Sequence, residues 1–204
     1  MDKTLLLATG NAHKAREIRE IFADCGLTGW EVRDLTAYPG YEPPEEDGDS
    51  FRANAALKAS AAAAMSGLLT LADDSGLSVD WLHGAPGIYS ARYAGTDDDG
   101  DNRKKLLAAL AGVPEAERGA AFVCLACLAR PTAEGTELWF AEGRCEGRIG
   151  FEERGENGFG YDSLFCLPEQ GCTMAELAPE VKNRLSHRCR AMRQAAAELA
   201  RRAE

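Results

Sequence analysis

Residues 71–95 read LADDSGLSVDWLHGAPGIYSARYAG. The apolar run LLTLA (68–72) stops at two adjacent carboxylates, Asp73 and Asp74, and Ser75 and Gly76 follow at once. A buried strand that ends in paired acids and a Gly turn places charge at a sheet's edge, where ligands and metals are commonly bound. Two neighbouring carboxylates repel unless something positive sits between them or one keeps its proton. A hard divalent cation is the simplest answer. The bland alternative is a solvated Asp-Asp-Ser-Gly turn, which is common in loops. Taken alone, the bland alternative wins.

The flanking sequence supplies a sheet for this strand to join. On the N-terminal side, residues 4–9 form a short apolar strand, Gly10-Asn11 a turn, and 12–25 a helix. Ile18, Ile21, Phe22 and Cys25 recur at helical spacing, and Gly26 is the stop. A second strand is expected at 30–35. The loop 36–49 holds Pro39, Pro43 and Pro44 and the acids Glu42, Glu45, Glu46, Asp47 and Asp49. Ser50 caps an Ala-rich helix over 51–66 that ends at Gly67.

On the C-terminal side, DDDGDN leads into a helix at 102–111, stopped by Gly112 and Pro114. Runs at 119–130 and 136–146 are separated by PTAEG, which reads as a hairpin. The Gly-rich GENGFGYD (155–162) precedes a short strand, SLFCL. A last helix puts Cys189, Met192, Ala196 and Leu199 on one face, with Ser186 as its cap. No repeat or linker interrupts the chain, so residues 1–204 are expected to form a single α/β domain with a mixed sheet.

Composition narrows the function. The chain has 204 residues, 45% hydrophobic and 27% charged, which fits a soluble globular domain with a proper core. A formal net charge of -10 argues against a duplex nucleic-acid binder, which needs a basic footprint. A local Lys/Arg cluster can still hold nucleotide phosphates. No run is long enough to span a membrane, and Met1 leads into TLLLAT without a signal-peptide pattern, so the expected location is the cytoplasm. The seven Cys (25, 124, 127, 145, 166, 172, 189) read as reduced, mostly buried thiols. Cys124-x-x-Cys127 lies in a probable strand, where positions three apart face opposite sides, and no second CxxC follows.

Four further segments carry candidate chemistry. The turn TGNAHK (9–14) offers free N–H groups and the positive end of a helix dipole to an anion, with Lys14 adding charge. It lacks the second Gly and the Ser/Thr of a phosphate-binding P-loop. Asn54 and Lys58 share a face of the 51–66 helix, and Glu46 precedes that helix. In GFGYD (158–162), Phe159 could stack on a base and Asp162 could accept from a ring N–H. Lys182, Ser186, His187 and Arg188 bring positive charge to another helix start. His187 could be a general base, a metal ligand or a polar contact; cationic neighbours favour its neutral form. Each segment has a plain structural reading as well: a βα turn, a solvated acidic loop, a turn tucked on the core, and a cap with surface charge.

Their order is more telling than any one of them. TGNAHK, EEDGDSFRANAALKA, ADDSGLSVDWLHGAPGIYSARYAG, GENGFGYD and ELAPEVKNRLSHR follow one another along the chain. This chain resembles the inosine triphosphate pyrophosphatase family, the XTP/dITP diphosphatases that remove deaminated purine nucleotides, from about residue 4 to residue 200. The resemblance implies an elongated mixed β-sheet flanked by helices, two lobes with a central substrate cleft, and a homodimer. It implies Mg²⁺-dependent hydrolysis of ITP, dITP and XTP to the monophosphate and pyrophosphate, with no nucleic-acid or membrane partner. By the same resemblance Thr9, Gly10, Asn11 and Lys14 would hold the triphosphate, with Lys58 adding charge and Asn54 facing the same site. Glu46 and Asp74 would hold Mg²⁺ with Asp73 in support, Asp74 would be the base for the attacking water, and Ser75 would contact substrate. Phe159, Gly160, Tyr161, Asp162, Lys182, His187 and Arg188 would line the base and phosphate pocket. Two departures stand out: Ser50 where the family commonly has Thr, and Ser163 where it commonly has Pro, which would loosen that loop.

Two other readings compete. An aspartyl-nucleophile phosphatase needs Asp-x-Asp, and Ser75 stands where the second Asp would be. A non-catalytic nucleotide-binding module would have no use for Glu46 and the Asp pair together.

Overall fold

The structure, a computed structural model, describes residues 3–27 and 29–202; the reading of the chain from Met1 lies outside them. Among the described residues, seven strands form one mixed sheet flanked by helices. Strand β1 (Thr4–Leu7) is buried throughout and pairs in parallel with β2 (Glu31–Asp34) and β3 (Leu69–Val79). The parallel pairs are connected through α1 (Ala12–Asp24) and α2 (Phe51–Ser66), as parallel strands require. The hairpin strands β4 (Gly119–Thr132) and β5 (Gly135–Ile149) follow α3 (Asp99–Ala109). Short β6 (Phe165–Leu167) and β7 (Cys172–Thr173) add antiparallel pairs. The strand order is β2-β1-β3-β4-β5-β6-β7. Helices α4 (Pro179–Leu185) and α5 (His187–Arg202) complete the chain.

Local signals account for most boundaries. Ser50 Oγ accepts the Ala53 N–H at 3.2 Å, and α2 ends at Gly67 in the left-handed conformation. Helix α3 starts three residues earlier than the sequence suggests. Asp98 accepts the Asp101 N–H at 2.8 Å, so the acids of DDDGDN cap the helix and fill its first turn, where the dipole favours them. Helix α4, at seven residues, is too short for periodicity to show; Pro179 at its first turn is a start signal.

The largest correction concerns the paired acids. Strand β3 does not end at Asp73; it runs through Asp73, Asp74, Ser75 and Gly76 to Val79. Both acids are buried inside the strand and have cationic partners, so no turn is needed to expose them. The apolar pattern resumes at Leu77 and Val79, which are fully buried.

The chain divides into two compact units. Of the described residues, the first holds those up to Asp74, Cys124–Gly143 and those from Arg188 onward; the second holds Ser75–Val123 and Arg144–His187. In the first, Leu5, Leu7, Ile18, Phe22, Leu71, Leu128, Met192 and Leu199 form a core. In the second, Leu77, Leu106, Leu110, Phe122, Ile149, Leu164 and Phe165 do the same. Each fully buried side chain of this size stabilises its unit by about 1.5–3 kcal/mol relative to exposure. Among the described residues, no helix is long and apolar enough to cross a membrane.

Candidate active site

The first unit gathers two ionic clusters on either side of β3. Successive residues of a strand point to opposite faces, so Asp73 and Asp74 meet different partners. Asp73 Oδ2 lies 3.3 Å from Lys14 Nζ and 3.4 Å from Arg188 Nε. Arg188 also pairs with Glu17 on α1. Burial would raise the Asp73 pKa, but the charges of Lys14, Arg188 and Lys58 outweigh it and hold the carboxyl well below its usual range. Burial likewise opposes the charge of Arg188, and Asp73 and Glu17 overcome it.

Asp74 has neutral and cationic neighbours from α2. Its Oδ2 accepts from Asn54 Nδ2 at 3.3 Å, and its Oδ1 lies 3.1 Å from Lys58 Nζ. The same ammonium is 3.1 Å from Glu46 Oε2. Asn54 Oδ1 accepts the Gly48 N–H at 2.9 Å, which ties the acidic loop to the helix. Burial pushes the Asp74 pKa up; Lys58 and Lys14 offset that only in part, and Glu46 adds to it. Lys58 is destabilised as a cation by burial, yet Asp74, Asp73 and Glu46 together raise its pKa.

The βα turn differs from the sequence expectation in one respect. Asn11 caps α1, its Oδ1 accepting the N–H groups of His13 at 2.9 Å and Lys14 at 3.1 Å. Thr9 Oγ1 accepts from the Asn11 N–H at 3.2 Å. Three N–H groups expected to be free for an anion are therefore used within the turn. Gly10 is exposed, with open space beside its Cα.

The second unit carries the remaining candidates. Asp162 Oδ2 accepts the Phe159 N–H at 2.9 Å and lies 2.8 Å from Lys182 Nζ. That ammonium is 4.7 Å from the centre of the Phe159 ring, within cation–π range. A side chain at Gly158 would bring Cβ to 2.2 Å from Asp162 Oδ2, and its φ of 81° is unfavourable for other residues. Tyr161 is buried; its hydroxyl donates to the Ser90 carbonyl at 2.8 Å, and burial pushes its pKa up. His187 stacks on Phe122 with ring centres 4.9 Å apart. Ser75 lies within β3, half-buried. Ser163, expected to loosen its loop, donates to Glu153 Oε2 at 3.1 Å, and its carbonyl accepts the Arg154 N–H at 2.9 Å.

The sequence missed Glu17, although a carboxylate on the buried stripe of α1 beside Ile18 and Ile21 was visible as an anomaly. It also missed what surrounds the CxxC segment. Cys124 Sγ sits 3.9 Å from Asp73 Oδ2, and burial, then the Asp73 charge, push the thiol pKa up. Burial raises Cys127 to about 12. Among the described residues, no cysteine is in a disulfide. Among the described residues, no group of three or more His, Cys, Asp or Glu is placed to hold a metal ion.

The model of the Ham1 family matches residues 5–198. The chain belongs to the Ham1 family. This agrees with the resemblance drawn from its ordered motifs. The dITP/XTP pyrophosphatase of Haemophilus influenzae is 51% identical to this Ham1-family chain, covering 94% of it and 96% of the relative. The dITP/XTP pyrophosphatase of Pseudomonas aeruginosa is 53% identical, with 92% of each chain covered. Among solved structures, a HAM1 protein from Coxiella burnetii superposes with a TM-score of 0.87 at 37% identity, covering 97% of this chain and 98% of that one.

Proposed function

We propose that this protein is a pyrophosphatase for non-standard purine nucleoside triphosphates, releasing pyrophosphate from dITP, XTP and ITP. The observation that carries the reading is the convergence of Asp74, Glu46 and Asn54 with Lys58. Relatives of about half identity are named as dITP/XTP pyrophosphatases, which supports the substrate class.

The donor set fits Mg²⁺. Two carboxylates share one ammonium, so negative charge is left over, and their oxygens are hard donors. Mg²⁺ keeps several waters and takes one or two carboxylates plus phosphate oxygens, so Glu46 and Asp74 suffice as its protein ligands. When bound, the ion supplies charge neutralisation to the triphosphate. Asp73 does not fit as a direct ligand, because Lys14 and Arg188 already converge on it.

Asp74 is the base. Its raised proton affinity suits it to take a proton from water as the oxygen attacks the α-phosphorus. The bond from that phosphorus to the α,β-bridging oxygen breaks, and pyrophosphate leaves. Asn54 fixes the carboxylate's orientation, while Lys58 and Lys14 offset phosphate charge. In the second unit, Phe159 supplies an aromatic face for the purine and Lys182 a donor for its 6-oxo group. Adenine presents an amino group there, and a donor left facing a donor costs about 1–3 kcal/mol.

The test is an assay of released products with dITP, XTP, ITP, dATP and dGTP, with Mg²⁺ and with a chelator. Pyrophosphate should appear first, from the deaminated purines, and only with the metal. Orthophosphate as first product, or equal rates on dATP, overturns the reading. A homodimer and a cytoplasmic location belong to the same proposal, and a monomeric mass in solution removes the first of them.

A further inference from the structure

Phe159 sits in a loop whose backbone is held from two directions. The peptide before it is fixed by its own N–H, which donates to Asp162 Oδ2 at 2.9 Å. The peptide after it is fixed at Gly160. Asp99 Oδ2 accepts the Gly160 N–H at 2.8 Å, in the peptide that follows Phe159, and Arg103 Nη1 donates to the Gly160 carbonyl at 2.9 Å, in the next peptide along. With both flanking peptides anchored, the two backbone torsions of Phe159 are set, and with them the direction of its ring. Gly160 has a φ of 61°, a conformation that glycine adopts without strain.

The two anchors differ in kind. Asp162 and Lys182 are buried and form an ion pair. Asp99 and Arg103 stand one helical turn apart on α3 and are wholly or partly exposed. Their clamp extends outward: Arg103 Nε donates to Glu153 Oε2 at 2.8 Å, and Ser163 Oγ donates to the same oxygen at 3.1 Å. Neither Asp99 nor Arg103 belongs to either ionic cluster of the first unit, and neither is among the core residues of the second. Charge-assisted bonds to both peptides flanking one glycine are more than a surface turn needs.

We propose that Asp99 and Arg103 are positioning residues for base selection: they hold the Gly160 peptide so that Phe159 presents its ring to the purine. The proposal rests on the reading that Phe159 meets the base. It assigns no substrate contact to Asp99 or Arg103; they act through Gly160. The clamp is exposed and ionic, so salt should weaken it.

The experiment uses the full chain with Asp99→Ala, Arg103→Met and the conservative Asp99→Asn, which keeps an acceptor oxygen. Amide deuterium uptake over residues 155–162 reads the clamp, and KM and kcat for dITP and dATP read selection. The Ala and Met variants should exchange faster in that segment alone. Their KM for dITP should rise about tenfold, the size of one charge-assisted hydrogen bond. Their kcat should stay within about twofold, because the chemical step is untouched. Preference for dITP over dATP should fall, and Asp99→Asn should recover most of it. Unchanged uptake overturns the proposal. So does faster uptake with KM unaltered, or a loss shared equally by both nucleotides with a lower Tm. If the unaltered protein releases no pyrophosphate from any deaminated purine, the functional reading fails instead, and the uptake still judges the clamp.

Discussion

Asp73 and Asp74 are neighbours in one strand, yet their surroundings have made them different reagents. On one face of β3, two cations converge on a single oxygen of Asp73, and the Glu17 carboxylate balances one of those cations. On the other face, Asp74 shares one ammonium with Glu46 and receives an amide from Asn54. Full compensation turns a buried carboxylate into a structural charge with depressed proton affinity. Partial compensation leaves its partner with raised affinity and negative charge to spare. The alternation of a β-strand is what lets one dipeptide serve both ends.

The contrast predicts opposite phenotypes for the two sides. Asp74→Asn should lower kcat by about 10³-fold, within the range of a lost general base, with the unfolding transition little changed. A variant that keeps its turnover takes the base from Asp74. Arg188→Met attacks the other face. It leaves Asp73 and Glu17 buried without their shared cation, and breaking such a pair costs about 3–5 kcal/mol. Denaturant unfolding measures that loss, and a change below about 1 kcal/mol would mean the cluster behaves like a surface ion pair.

How much of this was legible follows from what sequence can encode. Helix α2 is legible to the residue because its Ser50 cap and Gly67 stop act locally and its Ala-rich interior favours a helix. Helical spacing puts Asn54 and Lys58 on one face, and both do reach Asp74. The full course of β3 is not legible, because charge usually ends a buried strand. Its continuation depends on Lys14 and Arg188, one of which lies 115 residues away from Asp73. A still longer separation hides Glu17, which is 171 residues from Arg188. Asp99 and Arg103 were hidden too, for an acid-rich helix start looks the same whether or not a loop 61 residues on has docked there.

Two smaller substitutions test how far partial compensation matters. Asn54→Ala removes the amide from Asp74 and the acceptor of the Gly48 N–H. Leaving such buried groups unmet costs about 1–3 kcal/mol, and kcat should fall more than stability if orientation of the base is the amide's role. An equal fall in both would make Asn54 a loop anchor only. The smallest effect is expected at Asp34, the partly exposed counterpart of Asp73. Its carboxylate bonds Thr36 and pairs with Arg19, and these hold its pKa down to about 2. A depressed folded-state pKa stabilises above the unfolded value of about 4, and the gain is lost as pH falls through about 2. Arg19 and Asp34 are partly solvated, so screening limits their pair to about 1 kcal/mol at most. Asp34→Asn keeps a capping side chain but cannot titrate, so it should flatten that small acid slope and leave the neutral-pH transition nearly in place. A large neutral-pH loss would mean that exposure does not separate Asp34 from Asp73, and that the burial of β3 is not what gives its acids their force.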